Sequence, residues 1–449
     1  MPDVCVIGAG LAGCEAAVKL AERGINVTLY EMKPVKYSPA HKNPGFAELV
    51  CSNSLKAMNI ENASGLLKEE MRMLGSVCVE AAYLSRVPAG QALAVDRDIF
   101  SRIITEKTES FKNIKVVRKE VEKLSDLEGF DGIIIATGPL TAEKLAEDIS
   151  VLTGKEGLKF FDAAAPIVYG ESVDPEKTFR AARYGKGTAD YINCPMTRDE
   201  YNAFYDALVS AETADVEEFD AIHLYEGCMP VEEMARRGRD TLKFGPLKPV
   251  GLTKPDGTRP YAVVQLRQDD ADGTLFNIVG FQTRLKFPEQ RRVFGMIPGL
   301  ENAEFARYGV MHRNTYIKSP GLLGADYRVR DSVSPAIYFA GQITGVEGYM
   351  ESASSGIVAG INCARSVLGE PCAIFPVSTV IGALANYAAN YGGKDFQPMG
   401  ANFGIVDTSG AYTGRIRDKA EKKRLAAENS LRELRRFISE NGILTIPAG

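Results

Sequence analysis

Residues 3–31 read DVCVIGAGLAGCEAAVKLAERGINVTLYE. The apolar run Val4-Cys5-Val6-Ile7 meets a glycine-rich turn, helical spacing follows as far as Arg23 and Gly24, and a second run extends from Asn26 to Glu31. Such a pattern is a β-α-β unit with its glycines at the strand-to-helix turn. Gly8 permits the tight turn, Gly10 lets the backbone approach a pyrophosphate, and Gly13 lets helix and strand pack closely. Ala9, Leu11 and Ala12 complete the loop, and the helix N-terminus behind it faces the anion. Glu31 ends the second strand, where a carboxylate can accept from a ribose hydroxyl. The stretch predicts a dinucleotide site in an α/β, Rossmann-like fold, although Glu31 alone does not separate NAD from FAD.

Two later segments bear on that choice. DGIIIATG at 131–138 and AIYFAG at 336–341 both read as buried strands, and the second leads through Gly345 and Gly348 into a helical pattern from about Tyr349 to Val367. Together they resemble the two-part pattern of FAD-binding flavoproteins, in which the second strand and its helix return to the flavin end and direct the helix N-terminus at the ring. Gly138, Gly341 and Gly348 are therefore cofactor-binding candidates. Between roughly 171 and 319 the pattern changes to mixed strand signals, such as YAVVQL at 261–266 and FNIV at 276–279, with many loops. An inserted α+β domain is expected. The division is then a first FAD-binding part over 1–170, the insertion over 171–319, and a return with a helical tail over 320–449.

Composition narrows the function classes. Lys and Arg number 53 against 58 Asp and Glu, a net charge of −5, which excludes a globally basic nucleic-acid binder while leaving room for a local basic face. Residues 415–438 offer one, with nine Lys/Arg and four Asp/Glu around apolar positions Ala427, Leu431, Leu434 and Ile438. A solvated surface helix is the alternative reading of that tail. The eight Cys contain no CxxC pair and no dense disulfide spacing, no stretch has the length of a membrane helix, and there is no basic leader. A reducing, cytoplasmic setting is expected. Three scattered His do not suggest a metal site.

A nucleophile, if there is one, is a Cys. Cys51 lies in FAELVCSNS, where Ser and Asn can cap a helix whose N-terminus would favour a thiolate. Cys228 lies in EGCMPVEE, with Pro230 suited to the first helical position and Cys228 on an exposed turn before it; Glu232 and Glu233 would partly offset the pull of the helix on a thiolate. Cys5, Cys14 and Cys363 read as core residues.

At this point the chain resembles a family: the folate- and FAD-dependent tRNA (uracil-5-)-methyltransferases, TrmFO, relatives of the larger GidA tRNA-modifying flavoproteins. The likeness runs through GAGLAG, YEMKP from Tyr30, FAELVCSNSLKA, LLKEEMRMLGS, VPAGQALAVDR ending at Arg97, and IATGPLT. It continues through FFDAAAPIV, YINCPM, EGCMPVEEMARRG, PYAVVQLRQDD, GMIPGLENAEFARYGVMHRNTYI, AGQITGVEGYMESASSG and DFQPMGANFGI. Departures are small: Ala9 where Gly is common, Gln91 in a stretch that more often reads GGAL, and Phe287-Pro288 in place of Trp-Gly.

The resemblance implies methylation of the T-loop uridine of tRNA at carbon 5, with methylenetetrahydrofolate as carbon donor and FAD reduced by NAD(P)H. Carbon 5 is a poor nucleophile until a thiolate adds at carbon 6, so covalent catalysis by Cys is implied. Cys228 corresponds to that thiol, and Cys51 to the family Cys beside the flavin. Arg97 joins the cofactor-binding candidates through its motif. Glu226 is expected to assist Cys228, and Tyr349 to stack near flavin or folate. The base must leave its RNA loop, with Arg284, Lys286, Arg291 and Arg292 as candidates for the phosphates. No stable protein partner is implied. The same chemistry on ribosomal RNA, and a flavin-carrying RNA-binding protein without turnover, are the competing readings.

Overall fold

The computed structural model describes residues 1–154, 158–185, 187–214, 229–332, 334–412 and 416–443. Its centre is a five-stranded parallel sheet in the order Ala336–Phe339, Gly132–Ile135, Asp3–Ile7, Asn26–Glu31, Ile114–Arg118. Gly132–Ile135 and residues 4–7 are buried throughout, as expected for parallel strands covered on both faces, while Asn26–Glu31 buries only Val27, Leu29 and Glu31. Asp3–Ile7 at the middle places the glycine turn at the carboxyl edge of the sheet, where open α/β sheets bind ligands.

Two helices fix that edge. Leu11–Glu22 and Tyr349–Val367 pack against each other with little side chain between them. A Cβ on Gly356 would collide with the Ala12 backbone, and one on Gly360 would lie 2.8 Å from Ala16 Cα. Glycine therefore sets the interhelical spacing, and both N-termini arrive at the same end of the sheet. The helix expected from Tyr349 to Val367 is found over those residues.

A second, antiparallel sheet of six strands runs in the order Phe179–Arg180, Ile192–Met196, Ala262–Gln268, Leu275–Ile278, Ile167–Tyr169, Phe305–Arg307. It has a separate hydrophobic core around Tyr201, Phe204, Phe281 and Phe294, completed by the helices Arg198–Ser210 and Phe287–Phe294. Thr197 and Glu200 form a capping box at the start of Arg198–Ser210. A two-stranded ribbon, Leu158–Ala163 with Met311–Tyr316, runs between the segments of the two sheets.

The tail helix spans Lys419–Glu440, capped by Asp418, and buries Ala427, Leu431 and Leu434. Part of its basic side is paired within the helix: Arg424 with Glu421 and Glu428, and Arg436 with Glu433. The mixed charges at three- and four-residue spacing make those pairs local. No helix among the described residues is long and apolar enough to cross a membrane.

Candidate active site

The carboxyl edge of the parallel sheet opens into a cavity of about 450 Å³. Gly8, Ala9, Gly10, Leu11 and Ala12 line one end, with Glu31, Gly138 and Gly341 beside them, a Cβ on Gly341 lying 3.2 Å from Ala12 Cβ; Gly348, Tyr349 and Cys51 line the other. Gly8 takes φ +97°, and a Cβ there would meet Ala136 O at 2.7 Å, so the turn requires glycine. A Cβ on Gly13 would overlap the Gly8 carbonyl. At Gly10, by contrast, no atom lies within 4 Å of a Cβ position, leaving the backbone open to the cavity.

Glu31 is buried, and its carboxylate holds the loop: Oε2 accepts from Ala9 N–H at 2.9 Å and Oε1 from Lys33 N–H at 2.9 Å. Four lone-pair sites on a carboxylate leave capacity for a ligand hydroxyl. Neither the helix Leu11–Glu22 nor the helix Tyr349–Val367 has a side-chain cap at its N-terminus. Two sets of helix-terminal N–H groups thus meet one cavity, an arrangement that favours negative charge. His41 also lines it; burial lowers the pKa of its imidazole, which is neutral at pH 7.

At the other end, the Tyr349 phenol organises the Cys51 loop. Its oxygen accepts from Cys51 N–H at 2.9 Å and Ser52 N–H at 3.3 Å, and lies 3.1 Å from Cys51 Sγ. Burial pushes the phenol pKa well above its ordinary value, so it stays protonated. With two N–H groups on the oxygen, the phenol and the thiol share the remaining hydrogen-bond contact between them.

The loop is also clamped from behind. Arg97 does not line the cavity; it donates from Nη1 to Leu49 O at 3.0 Å and Val50 O at 3.1 Å, and from Nη2 to Asp269 at 3.1 Å. Arg267, from the second sheet, donates to Asn53 Oδ1 at 3.0 Å and Ser52 Oγ at 2.9 Å. Asn53 is fully buried and donates to Val95 O at 3.1 Å and Gln268 O at 2.9 Å. The second sheet, through Arg267 and Gln268, and Arg97 at the start of the helix Arg97–Glu109 therefore hold the segment that presents Cys51.

The family model described as "Glucose inhibited division protein A" matches residues 3–371. Among curated relatives, the Methylenetetrahydrofolate--tRNA-(uracil-5-)-methyltransferase TrmFO of Acetivibrio thermocellus is 58% identical over 97% of this chain and 98% of its own length. The protein of the same name from Staphylococcus aureus (strain JH9) is 56% identical over 97% of this chain and 98% of its own. The chain belongs to the TrmFO branch of the GidA family. Aquifex aeolicus GidA, in its form II crystal, superposes with a TM-score of 0.70 at 17% identity, covering 99% of this chain and 74% of that one, a likeness of fold.

In this TrmFO chain the structure brings Cys51 and Tyr349 into contact and sets Gly8–Ala12, Glu31, Gly138, Gly341 and Gly348 around one cavity. Cys228 and Glu226 lie outside the described residues. Pro230 is the residue before the helix Val231–Arg236, not its first residue. Glu232 does not serve that helix end as a solvent-facing charge: it is buried and accepts from Thr283 Oγ1 at 2.9 Å and Arg284 N–H at 2.8 Å.

The four cations considered for phosphate contact each have a partner within the second unit, Arg284 largely buried and Lys286, Arg291 and Arg292 at the surface. Arg284 pairs with Glu233, Lys286 with Glu212, Arg292 with Glu289, and Arg291 bonds the Tyr308 hydroxyl. Asn53, Arg267 and Asp269 were not expected as site residues. Their only sequence signal was membership of the SNS and LRQDD segments, which lie more than 200 residues apart.

Proposed function

We propose that this chain methylates carbon 5 of a uridine in the T loop of tRNA, using methylenetetrahydrofolate as carbon donor and FAD reduced by NAD(P)H. The observation that carries the reading is the Cys51 thiol, held by the Tyr349 phenol at one end of a cavity whose other end has the glycine turn and Glu31. The residues suit FAD: Gly10 leaves room for a pyrophosphate, Glu31 retains acceptors for a ribose, and the uncapped N-terminus at Gly348 favours an electron-rich ring edge. FAD, when bound, supplies the hydride that turns a transferred methylene into a methyl group.

The chain's own part begins with Cys228, whose thiolate adds to carbon 6 of the everted uracil and so makes carbon 5 nucleophilic. Glu226 assists that thiol. Cys51 holds or passes a proton beside the ring, steadied by Tyr349, and Tyr349 stacks near flavin or folate. Arg97 supports the cofactor end of the site through the Cys51 loop. The three-part division at about 170 and 319 follows the same reading, supported by the separate core of the second sheet. The enzyme works in the cytoplasm on tRNA without a stable protein partner.

The test is a tritium-transfer assay with purified protein, NADPH and methylenetetrahydrofolate on unmodified tRNA and ribosomal RNA transcripts. 5-Methyluridine in the T loop is expected. Product in ribosomal RNA alone, or no product and no Cys228-dependent adduct with 5-fluorouridine tRNA, would overturn the reading.

A further inference from the structure

Several polar side chains around the cavity are engaged with the protein itself. Gln342 donates to Glu347 at 2.6 Å, Lys56 donates to Glu351 at 2.7 Å, and the Thr137 and Thr141 hydroxyls bond each other at 2.6 Å. Two carboxamides differ. Asn314 is only 3% exposed, yet it lines the cavity, and its side chain has no hydrogen-bond partner among the described residues. Gln282 is half-buried, lines the same cavity, and has an equally unpartnered side-chain amide among those residues. An enclosed amide without partners costs stability, and a complementary ligand removes that cost.

Neither amide comes from the parallel-sheet unit that carries the dinucleotide turn. Asn314 stands on the ribbon strand Met311–Tyr316, and Gln282 lies between the strand Leu275–Ile278 and the helix Phe287–Phe294 of the second unit. Backbone bonds fix both. Thr315 N–H donates to Pro139 O at 2.9 Å, which ties the ribbon to the segment just after Gly138. Gln282 O accepts from Val231 N–H at 2.7 Å, while Glu232 accepts from Thr283 Oγ1 and Arg284 N–H. The chain that follows Cys228 is thus stitched to residues 282–284, and three residues of chain, the separation of Cys228 from Val231, span at most about 11 Å.

A carboxamide places an N–H donor beside a C=O acceptor. Uracil presents the complement along its imide edge, where the N3–H donor stands between the O4 and O2 acceptors. N3 lies across the ring from carbon 6, so a group that holds this edge leaves carbon 6 on the far side, open to a thiolate.

We propose that Asn314 and Gln282 receive the imide edge of the target uracil and so fix which way round the everted base lies in the cavity. This assignment rests on the function proposed above and names the residues that recognise its base. The flavin ring and the pterin of folate carry a similar edge; the bond from the Cys228 segment to Gln282 favours the uracil, and the experiment separates the three.

The full chain with FAD is compared as wild type, Asn314→Ala, Asn314→Asp and Gln282→Ala. Affinity is titrated, without folate or NADPH, for tRNA carrying uridine or 3-methyluridine at the target position. FAD content, tetrahydrofolate binding and a thermal melt are measured alongside. Wild type should bind the 3-methyluridine tRNA about 10-fold more weakly. Asn314→Ala should weaken binding of the uridine tRNA by a similar factor, and methylation should cost that variant little more, because both changes remove the same contact. Asn314→Asp keeps the shape of the side chain but has no donor for O4, so it should lose as much, and it decides the matter if the Ala variant does not fold. Gln282→Ala should act in the same direction with a smaller loss.

Unchanged tRNA affinity in both Asn314 variants, or losses from mutation and methylation that add in full, overturns the proposal. Loss of FAD or of tetrahydrofolate binding in place of tRNA affinity also overturns it, and puts the amides on the flavin or the pterin instead. If wild type discriminates against 3-methyluridine yet makes no 5-methyluridine, the proposed function fails while the base-recognition site stands.

Discussion

The two ends of the cavity are built in different ways. The dinucleotide end comes from one β-α-β unit: Gly8, Gly10, Gly13 and Glu31 lie within a single stretch, and the Glu31 to Ala9 bond spans 22 residues. The Cys51 end is assembled from four distant segments, with Tyr349 reaching across 298 residues and Arg267 across 214 to Asn53. The first end depends on backbone shape, which glycine secures locally. The second depends on side-chain bonds from distant segments of its own core and from Arg267 and Asp269 of the second sheet, with one backbone bond, Ala47 N–H to Ala9 O at 2.9 Å, joining it to the first.

The most severe way to break the local end is Gly13→Val. Its side chain would drive into the Gly8 carbonyl, and neither strand nor helix can retreat because both are packed. More than about 3 kcal/mol of stability should be lost, with FAD content falling towards zero. Absorbance near the flavin maximum after purification, with a thermal melt alongside, checks this. A variant that retains FAD would show the turn to be more yielding than its glycines imply.

A long-range junction without chemistry provides a control for the second end. Glu70 is fully buried where three helices meet: it accepts from Val380 N–H at 2.9 Å, Ile381 N–H at 2.8 Å and Ser430 Oγ at 2.5 Å. Burial nevertheless pushes its pKa up from 4.5 to about 7. The folded state then binds more protons than the unfolded state between those values, so stability falls as pH rises from about 4.5 to about 7 and levels above it. The change attributable to Glu70 should be of order 3 kcal/mol. Urea unfolding from pH 5 to 8 should show it, and Glu70→Gln should flatten the profile; an unaltered slope in the variant would remove Glu70 as its source.

Within the Cys51 end itself, Arg267→Ala leaves the buried Asn53 Oδ1 without a donor. A loss of about 2 kcal/mol is expected, together with faster alkylation of Cys51 as its loop loosens and little change in FAD content. Equal loss of FAD would mean that the two ends are one cooperative unit.

These differences also decide what could be read from the sequence. Gly8, Gly10, Gly13 and Glu31 were legible because strand, turn, helix and terminal acid follow one another and each has a local steric or electrostatic reason. The helix Tyr349–Val367 was legible from its spacing and the glycine before it. The bond between Tyr349 and Cys51, and the clamp of Arg267 on Asn53, were not, because no local pattern records which distant donor meets which acceptor. The same limit hid the partners of Arg284, Lys286, Arg291 and Arg292: the sequence shows a cluster of cations, and only folding brings Glu233, Glu212, Glu289 and Tyr308 to it. Glu232 changed in the opposite sense, from a charge at a helix start to a buried acceptor for the neighbouring chain segment.

The smallest test isolates the phenol oxygen of Tyr349. Tyr349→Phe keeps the ring and removes the acceptor for the Cys51 and Ser52 N–H groups. Water can take over only in part at a site this enclosed, so the cost should be about 1 kcal/mol. Hydrogen exchange locates the effect: protection of the Cys51 and Ser52 amides should drop several-fold, while that of Ala9, bonded to Glu31, should not change. If Ala9 loses protection as well, a single hydroxyl couples the two ends, and the local unit is less independent than its sequence continuity suggests.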